Sequence, residues 1–380
     1  MSREAFIVGA GMSRFGKQSH RTIEEIGQEA VRAAMKEAGV ERGDIDEVFC
    51  GTGYGGVMLG QRILRDLGMT GPPVTNVENA CSSGATGVRE ACAAIATGRA
   101  EVVLVVGVDK LTTFGGGTLP LEASDPDVAN GMIMPAVYAM RARRYMFETG
   151  ATPEHLAMVT VKAREAAALN PHAQMRTPTT VAEVLASRPI ADPLTLFMCC
   201  PSGDGAAAVV ITTAARARQL GVQPVKIAAS VLQSGYYKTG FRDTAFSELT
   251  ARTVALAYDA AGLGPEAVDM AEVHDAFAIA ELMYYEALGL CERGEGKDFL
   301  ERGDSKIGGR TPVNPSGGLL CKGHPIGATG IAQMCEAVWQ LRGQVGARQV
   351  EGAKVALTHC TGGGIAGFDH GACAVHVLTV

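Results

Sequence analysis

The sequence predicts an α/β protein built by duplication around a mostly parallel, helix-covered sheet. Two patterns carry that expectation. Short apolar runs of strand length alternate with stretches of helical periodicity, and the same order of elements returns in the second half of the chain. Composition agrees, with 47% hydrophobic and 19% charged residues in 380, enough for a large buried core.

Phe6-Ile7-Val8 reads as a first strand ending at Gly9. Thr22 then opens a helix whose Ile23, Ile26, Ala30 and Ala34 share a face, and Gly39 follows it. A second strand is expected near Glu47 to Cys50. A helix begins just after Cys81 and runs to about Thr97, with Gly98 as its stop. Val102 to Val108 supplies a fully buried strand. In the second half, Val225 to Ala229, Glu248 to Ala261 and Met270 to Val273 repeat strand, helix and strand. Ala261-Gly262-Leu263 echoes Ala38-Gly39-Val40. Cys81-Ser-Ser-Gly-Ala-Thr-Gly87 aligns with His324-Pro-Ile-Gly-Ala-Thr-Gly330, and Cys92 falls on Cys335 at the same spacing. Ala353 to His359 repeats the buried strand. The expected halves are residues 1–222 and 223–380. An insertion at about 111–199 holds helices at Met134 to Thr149 and Pro153 to Leu169, and reads equally as a structural addition or a cap over a site.

The net charge of −6 leaves no basic stripe for a nucleic acid. No apolar run approaches the roughly 18 residues of a membrane span. The N-terminus reads as a strand and not as a secretory signal. Ten cysteines without a C-x-x-C pair suit neither a zinc site nor a disulfide framework, so free thiols in a cytoplasmic, reducing compartment are expected. Gly9-Ala10-Gly11 has Arg14 where a dinucleotide fingerprint needs its third glycine, and no G-x-S-x-G elbow is present.

If the halves pack about a pseudo-twofold axis, Cys81 and His324 meet, each at the head of a helix. The helix N-terminus is expected to lower the thiol's pKa. The imidazole would take its proton or bond a developing oxyanion. Further candidates follow strand ends, where open α/β sheets place ligands: His274-Asp275-Ala276-Phe277, and His359-Cys360-Thr361 with Gly362-Gly363-Gly364 after the last buried strand. His20, His155, His172, His359, His370 and His376 read as surface or packing residues.

Asn79-Ala-Cys81-Ser-Ser-Gly84, His274-Asp-Ala-Phe277, Gly323-His324-Pro-Ile-Gly-Ala-Thr-Gly330 and Cys360-Thr-Gly-Gly-Gly364 resemble, in order, the four active-site motifs of thiolases. Tyr138 to Tyr145, Asn170 to Gln174 and Ser187 to Pro193 are similar to the sterol-carrier-protein-type and archaeal acetyl-CoA acetyltransferase branch. The resemblance implies two mixed five-stranded sheets in a layered αβαβα arrangement, with the insertion as a cap or loop region. It implies cleavage of a 3-ketoacyl-CoA by coenzyme A, or the reverse Claisen condensation, through an acyl group on Cys81. Cys360 would be the acid/base, and His324 and His274 would bind the enolate oxygen. The backbone N–H groups of Cys81 and Gly362 would form the oxyanion hole. Coenzyme A enters as co-substrate, with no tightly bound cofactor and no metal. A homodimer is implied, and a small OB-fold, zinc-ribbon partner protein is known in this branch.

Two departures stand out. Many thiolases have Asn-Glu-Ala-Phe where this chain has His274-Asp275-Ala276-Phe277, so an imidazole can reach the oxyanion directly. Sterol-carrier-type members often place a cysteine where Ala276 stands, which leaves Cys360 without a rival; no appended sterol-carrier domain is expected. The rival readings are a ketosynthase-like enzyme, which would use Cys-His-His, an aldolase-like relative for which Cys81 is dispensable, and a non-catalytic acyl-CoA or lipid carrier.

Overall fold

The computed structural model describes residues 3–367 and 369–380. Eleven strands are present among them: β1 Ala5–Met12, β2 Glu47–Gly51, β3 Val74–Val77, β4 Val102–Lys110, β5 Pro189–Ala191, β6 Leu194–Thr195, β7 Asp204–Thr213, β8 Val225–Ser234, β9 Met270–Glu272, β10 Val355–Gly362 and β11 Ala372–Thr379. Nine of them form one sheet in the order β3-β2-β4-β7-β1-β8-β11-β10-β9, and β5 and β6 form a separate hairpin. Within the nine-stranded sheet, β1 and β8 join the two sides through two residue pairs, Phe6 with Lys226 and Ile7 with Val225.

Read outward from that junction, the two sides match. Each has antiparallel strands near the centre, and parallel pairing follows farther out: β4 with β2 and β2 with β3 on one side, β10 with β9 on the other. The sheet is therefore mixed, and the mostly parallel reading is corrected. β11 follows its antiparallel neighbour β10 with no helix between them among the described residues, where a parallel neighbour would need a crossover. The expected fifth strand of the second half is reduced to one parallel bridge between Ala271 and Val313. Pro312 offers no N–H there, and Asn314 turns the chain with φ 55.

Other boundaries move for local reasons. β1 continues through Gly9 to Met12, because Gly9 and Gly11 mark close packing and not a turn. A Cβ on Gly9 would lie 2.1 Å from the carbonyl oxygen of Ala34 on helix Ile23–Ala38. That helix has the Thr22–Glu25 capping box and ends on Gly39 in the left-handed conformation. Cys360 lies inside β10 and not after it, and a further strand, β11, follows the buried strand that the sequence marks as the last.

Two helices occupy the centre. Ser83–Thr97 and Ile326–Leu341 pack on each other and touch strands of both halves. Helix Ile23–Ala38 packs on β1, β4 and β7, and helix Glu248–Ala261 on β8 and β11, giving the layered arrangement. Of helix Ile326–Leu341, all but Trp339 is buried, which explains why it reads as apolar nearly all round. Glycine lets the central pair approach. A Cβ on Gly84 would sit 2.4 Å from the Gly327 carbonyl oxygen, one on Gly107 2.0 Å from that same oxygen, and one on Gly330 2.7 Å from the Ala85 nitrogen.

These contacts involve backbone, which cannot swing aside. Gly107→Ala is accordingly expected to destabilise the protein by at least the roughly 1–3 kcal/mol typical of overpacking. Thermal or denaturant unfolding reads the change; a variant as stable as wild type would show that β4 and helix Ile326–Leu341 have room to separate.

Candidate active site

The Cys81 loop follows β3 and is tied down before the helix begins. Ala80 adopts φ 47, a left-handed conformation that costs a non-glycine residue about 1–2 kcal/mol. The turn is held by Ser83 Oγ, which accepts from the Asn79 N–H at 2.9 Å and donates to the Ala80 carbonyl at 2.6 Å. Asn79 Nδ2 also donates to Thr86 Oγ1 at 3.0 Å. Cys81 stands two residues ahead of helix Ser83–Thr97, and His324 two ahead of helix Ile326–Leu341. The duplication thus carries through to the site.

Cys81 Sγ and His324 Nε2 are 3.2 Å apart. On the far side of the ring, Nδ1 lies 2.7 Å from Thr329 Oγ1, whose own hydrogen goes to the Pro325 carbonyl at 3.0 Å. Nδ1 therefore carries the imidazole hydrogen, and Nε2 presents a lone pair to the thiol. Cys360 comes in from β10. Its Sγ donates to the Cys81 carbonyl at 3.0 Å, and Ser82 Oγ returns a bond to the Cys360 carbonyl at 3.1 Å. His274 packs edge-on against His324 with ring centroids 5.0 Å apart. Its Nδ1 meets Thr361 Oγ1 at 3.3 Å, while its buried Nε2 has no hydrogen-bond partner among the described residues. The structure thus brings together Cys81, His324, Cys360 and His274.

Charge is scarce here. Burial first, and the Asp109 carboxylate second, push the Cys81 thiol up to about 12, against the opposing N–H groups of Gly363 and of Cys81 itself. Burial lowers His324 to about 3. His274 is likewise held well below its usual range by burial and then by the neighbouring His324. Burial, followed by proximity to Cys81, drives Cys360 well up. The expected lowering of the thiol's pKa at a helix terminus is thus corrected, because desolvation exceeds what one or two N–H groups return. The resting pair is a neutral thiol on a neutral imidazole, suited to moving its proton only as the sulfur attacks.

Asp109 was not singled out from the sequence, although a lone carboxylate ending an all-apolar strand is the signal that could have found it. Its buried side chain accepts from Thr52 Oγ1 and the N–H groups of Gly53 and Tyr54, each at 2.8 Å, and from the Gly327 N–H at 2.6 Å. It fastens the 52–54 loop to the helix that follows His324. Asp275 accepts from the Leu319 N–H at 2.6 Å, and Glu272 from Lys322 at 3.2 Å, which fixes the Gly318–Lys322 turn just ahead of His324. The insertion braces the same parts. Tyr138 stacks on Phe277 at 4.4 Å, Cys200 N–H donates to the Ala276 carbonyl, and the Gln174 N–H to the Lys322 carbonyl. It also helps wall a cavity of about 710 Å³ over the nucleophile loop, shared by Tyr54, Ala80, Leu121, Val128, Gly363 and Ile365.

This site sits in a thiolase framework. Residues 5–215 match the family model described as thiolase, N-terminal domain, and residues 234–370 match thiolase C-terminal domain-like. The chain is 42% identical to benzoylsuccinyl-CoA thiolase subunit BbsB of Thauera aromatica, over 96% of each chain. It is 40% identical to an acetyl-CoA acetyltransferase of Methanothermobacter thermautotrophicus, over 99% and 100%. Among solved structures, the Ltp2-ChsH2(DUF35) aldolase superposes with a TM-score of 0.86 at 30% identity, over 99% of this chain and 98% of that one. The chain belongs to the thiolase family. Within it, this protein is an acyltransferase that acts on acyl-CoA thioesters, of the branch that includes sterol carrier protein 2 and the archaeal acetyl-CoA acetyltransferases.

Two outcomes test the site. Asp109→Asn turns one acceptor into a donor facing an N–H, and should cost about 1–3 kcal/mol of stability and slow acylation of Cys81; wild-type values for both would remove Asp109 from the positioning of His324. With the thiol near 12, its ionised fraction rises with pH, so alkylation of Cys81 by iodoacetamide should climb steadily from neutral pH through pH ~10. A plateau starting at or below neutrality would show a thiolate–imidazolium pair instead.

Proposed function

We propose that the protein cleaves a 3-ketoacyl-CoA with coenzyme A, or runs the reverse condensation, through an acyl group carried on Cys81. The observation that carries this reading is the 3.2 Å contact of Cys81 Sγ with the unprotonated Nε2 of His324, beside a second thiol, Cys360 on β10, that donates to the Cys81 carbonyl. In the cleavage direction, Cys81 Sγ attacks the ketone carbon as His324 Nε2 takes the S–H proton. The N–H groups of Cys81 and Gly362 receive the oxyanion, each donor contributing ~3 kcal/mol. The C2–C3 bond then breaks, and its electron pair leaves as the enolate of the shortened thioester.

His324, now protonated at Nε2, and the free Nε2 of His274 face that enolate oxygen. Thr361 donating to His274 Nδ1 would leave the hydrogen on Nε2, where it is needed. Cys360 gives its proton to C2, and its raised pKa suits an acid that holds its proton until a carbanion forms. The resulting Cys360 thiolate takes the proton of incoming coenzyme A, whose sulfur displaces the acyl group from Cys81; Cys81 leaves as a thiolate and recovers its proton from His324 Nε2.

The halves 1–222 and 223–380 each supply part of this constellation. A homodimer fits the sheet's edge strand β3, which ends the sheet with Thr75 and Asn76 exposed. A small OB-fold, zinc-ribbon partner fits two relatives, since the Thauera protein is a thiolase subunit and the aldolase structure joins two components. A cytoplasmic setting fits ten free cysteines, and no helix among the described residues is long and apolar enough to cross a membrane.

Intact-protein mass spectrometry after incubation with a panel of acyl-CoAs tests the assignment. An acyl adduct should appear on wild type, vanish in Cys81→Ala and persist in Cys360→Ala. An adduct retained without Cys81 would move the nucleophile elsewhere, and carbon–carbon cleavage retained in Cys81→Ala would favour the aldolase-like reading.

A further inference from the structure

The acyl-transfer roles do not exhaust what Cys81, His274 and His324 can do together. One donor atom from each lies within 4.8 Å of the others. A tetrahedral ion with about 2.3 Å bonds to sulfur and about 2.0–2.1 Å bonds to nitrogen needs its ligand atoms roughly 3.3–3.6 Å apart. Cys81 Sγ and His324 Nε2 already stand at 3.2 Å, so small rotations of three side chains would close the set.

Independent features point to a ligand here. His274 is only 3% exposed and its Nε2 has no partner among the described residues. One ring nitrogen of His359, His370 and His376 is in the same state, but of the four it is His274 whose donor atom lies within 4.8 Å of both a thiol and a second imidazole. Each imidazole is also held from behind at Nδ1, His324 by Thr329 and His274 by Thr361, the outer hydrogen bond that metal-binding histidines commonly make. The Thr361 hydroxyl can rotate to accept from Nδ1–H, freeing the lone pair on Nε2.

We propose that Cys81 Sγ, His324 Nε2 and His274 Nε2 form a three-ligand site for a borderline-soft dication of the zinc class, and that its occupancy blocks acylation. One sulfur–metal and two nitrogen–metal bonds form, water takes the fourth position, and the S–H proton leaves to solvent. One proton is released per ion, with no change of oxidation state. Thiolases with asparagine in place of His274 lack the third ligand, so the site is particular to chains of this pattern.

Metal-free, full-length wild type is titrated with Co²⁺ as an optical probe and with Zn²⁺ against a chromophoric chelator, without acyl-CoA. Expected are one ion per chain, a sulfur-to-cobalt charge-transfer band, one proton released, and loss of thioester turnover as Zn²⁺ binds. Cys81→Ala and His274→Asn should each weaken binding by at least about 100-fold, the upper range for losing even an outer-shell partner. Cys291→Ser, which alters a partly exposed thiol away from the site, should bind as wild type does. Because a variant can fail to fold, wild type alkylated at Cys81 after folding serves as a second test and should lose the cobalt band. Wild-type affinity in His274→Asn or in the alkylated protein, or a cobalt spectrum without the sulfur band, would overturn the site. Acyl-adduct formation is measured on metal-free enzyme, so failure of this proposal and failure of the acyl-transfer reading remain distinct.

Discussion

The site depends on the crossing of two buried helices at glycine. Gly84, Gly107, Gly327 and Gly330 leave the space of a single methyl group or less between backbones that approach from opposite halves. Because Cys81 and His324 each stand two residues ahead of one of these helices, the crossing distance sets the sulfur-to-imidazole distance. A backbone contact is a stiff ruler, since it has no rotamer to relax through. Asp109 reinforces it by taking the Gly327 N–H and the 52–54 loop on one carboxylate.

Burial governs the chemistry that this geometry permits. The central layer is enclosed by strands of both halves, so charges there are costly, and both histidines and both cysteines rest neutral. Reactivity then rests on short proton transfers between matched neighbours. Carboxylates appear behind the site, in Asp109, Asp275 and Glu272, where they hold backbone turns in place. The long insertion contributes in the same way, bracing the His274 and His324 segments while it walls the cavity beside Asn79 and Ala80.

Much of this was legible in the chain. The helix from Ser83 to Thr97 could be placed from Gly98 and from the apolar periodicity, and Met134–Thr149 from its own pattern. The repeat of Gly-Ala-Thr-Gly exposed the duplication and paired Cys81 with His324. Less legible were positions where a residue type has two physical uses. Gly9 reads as a turn but serves close packing, and the second half's fifth strand fades to one bridge because Pro312 and Asn314 interrupt its ladder. Asp109, Thr329 and Thr361 carry no motif, and their importance appears only when the partners they bond are in place.

The sequence by itself determined the duplicated α/β class, the thiolase motifs and the four side chains that meet, because local periodicity and a repeated signature are properties of the chain. Tertiary structure decided the strand directions, the tautomer of His324, the open Nε2 of His274 and the neutral state of the thiols. Each of those follows from burial and from neighbours far away in sequence, and residues 243 positions apart share a proton only once the fold has excluded the water between them.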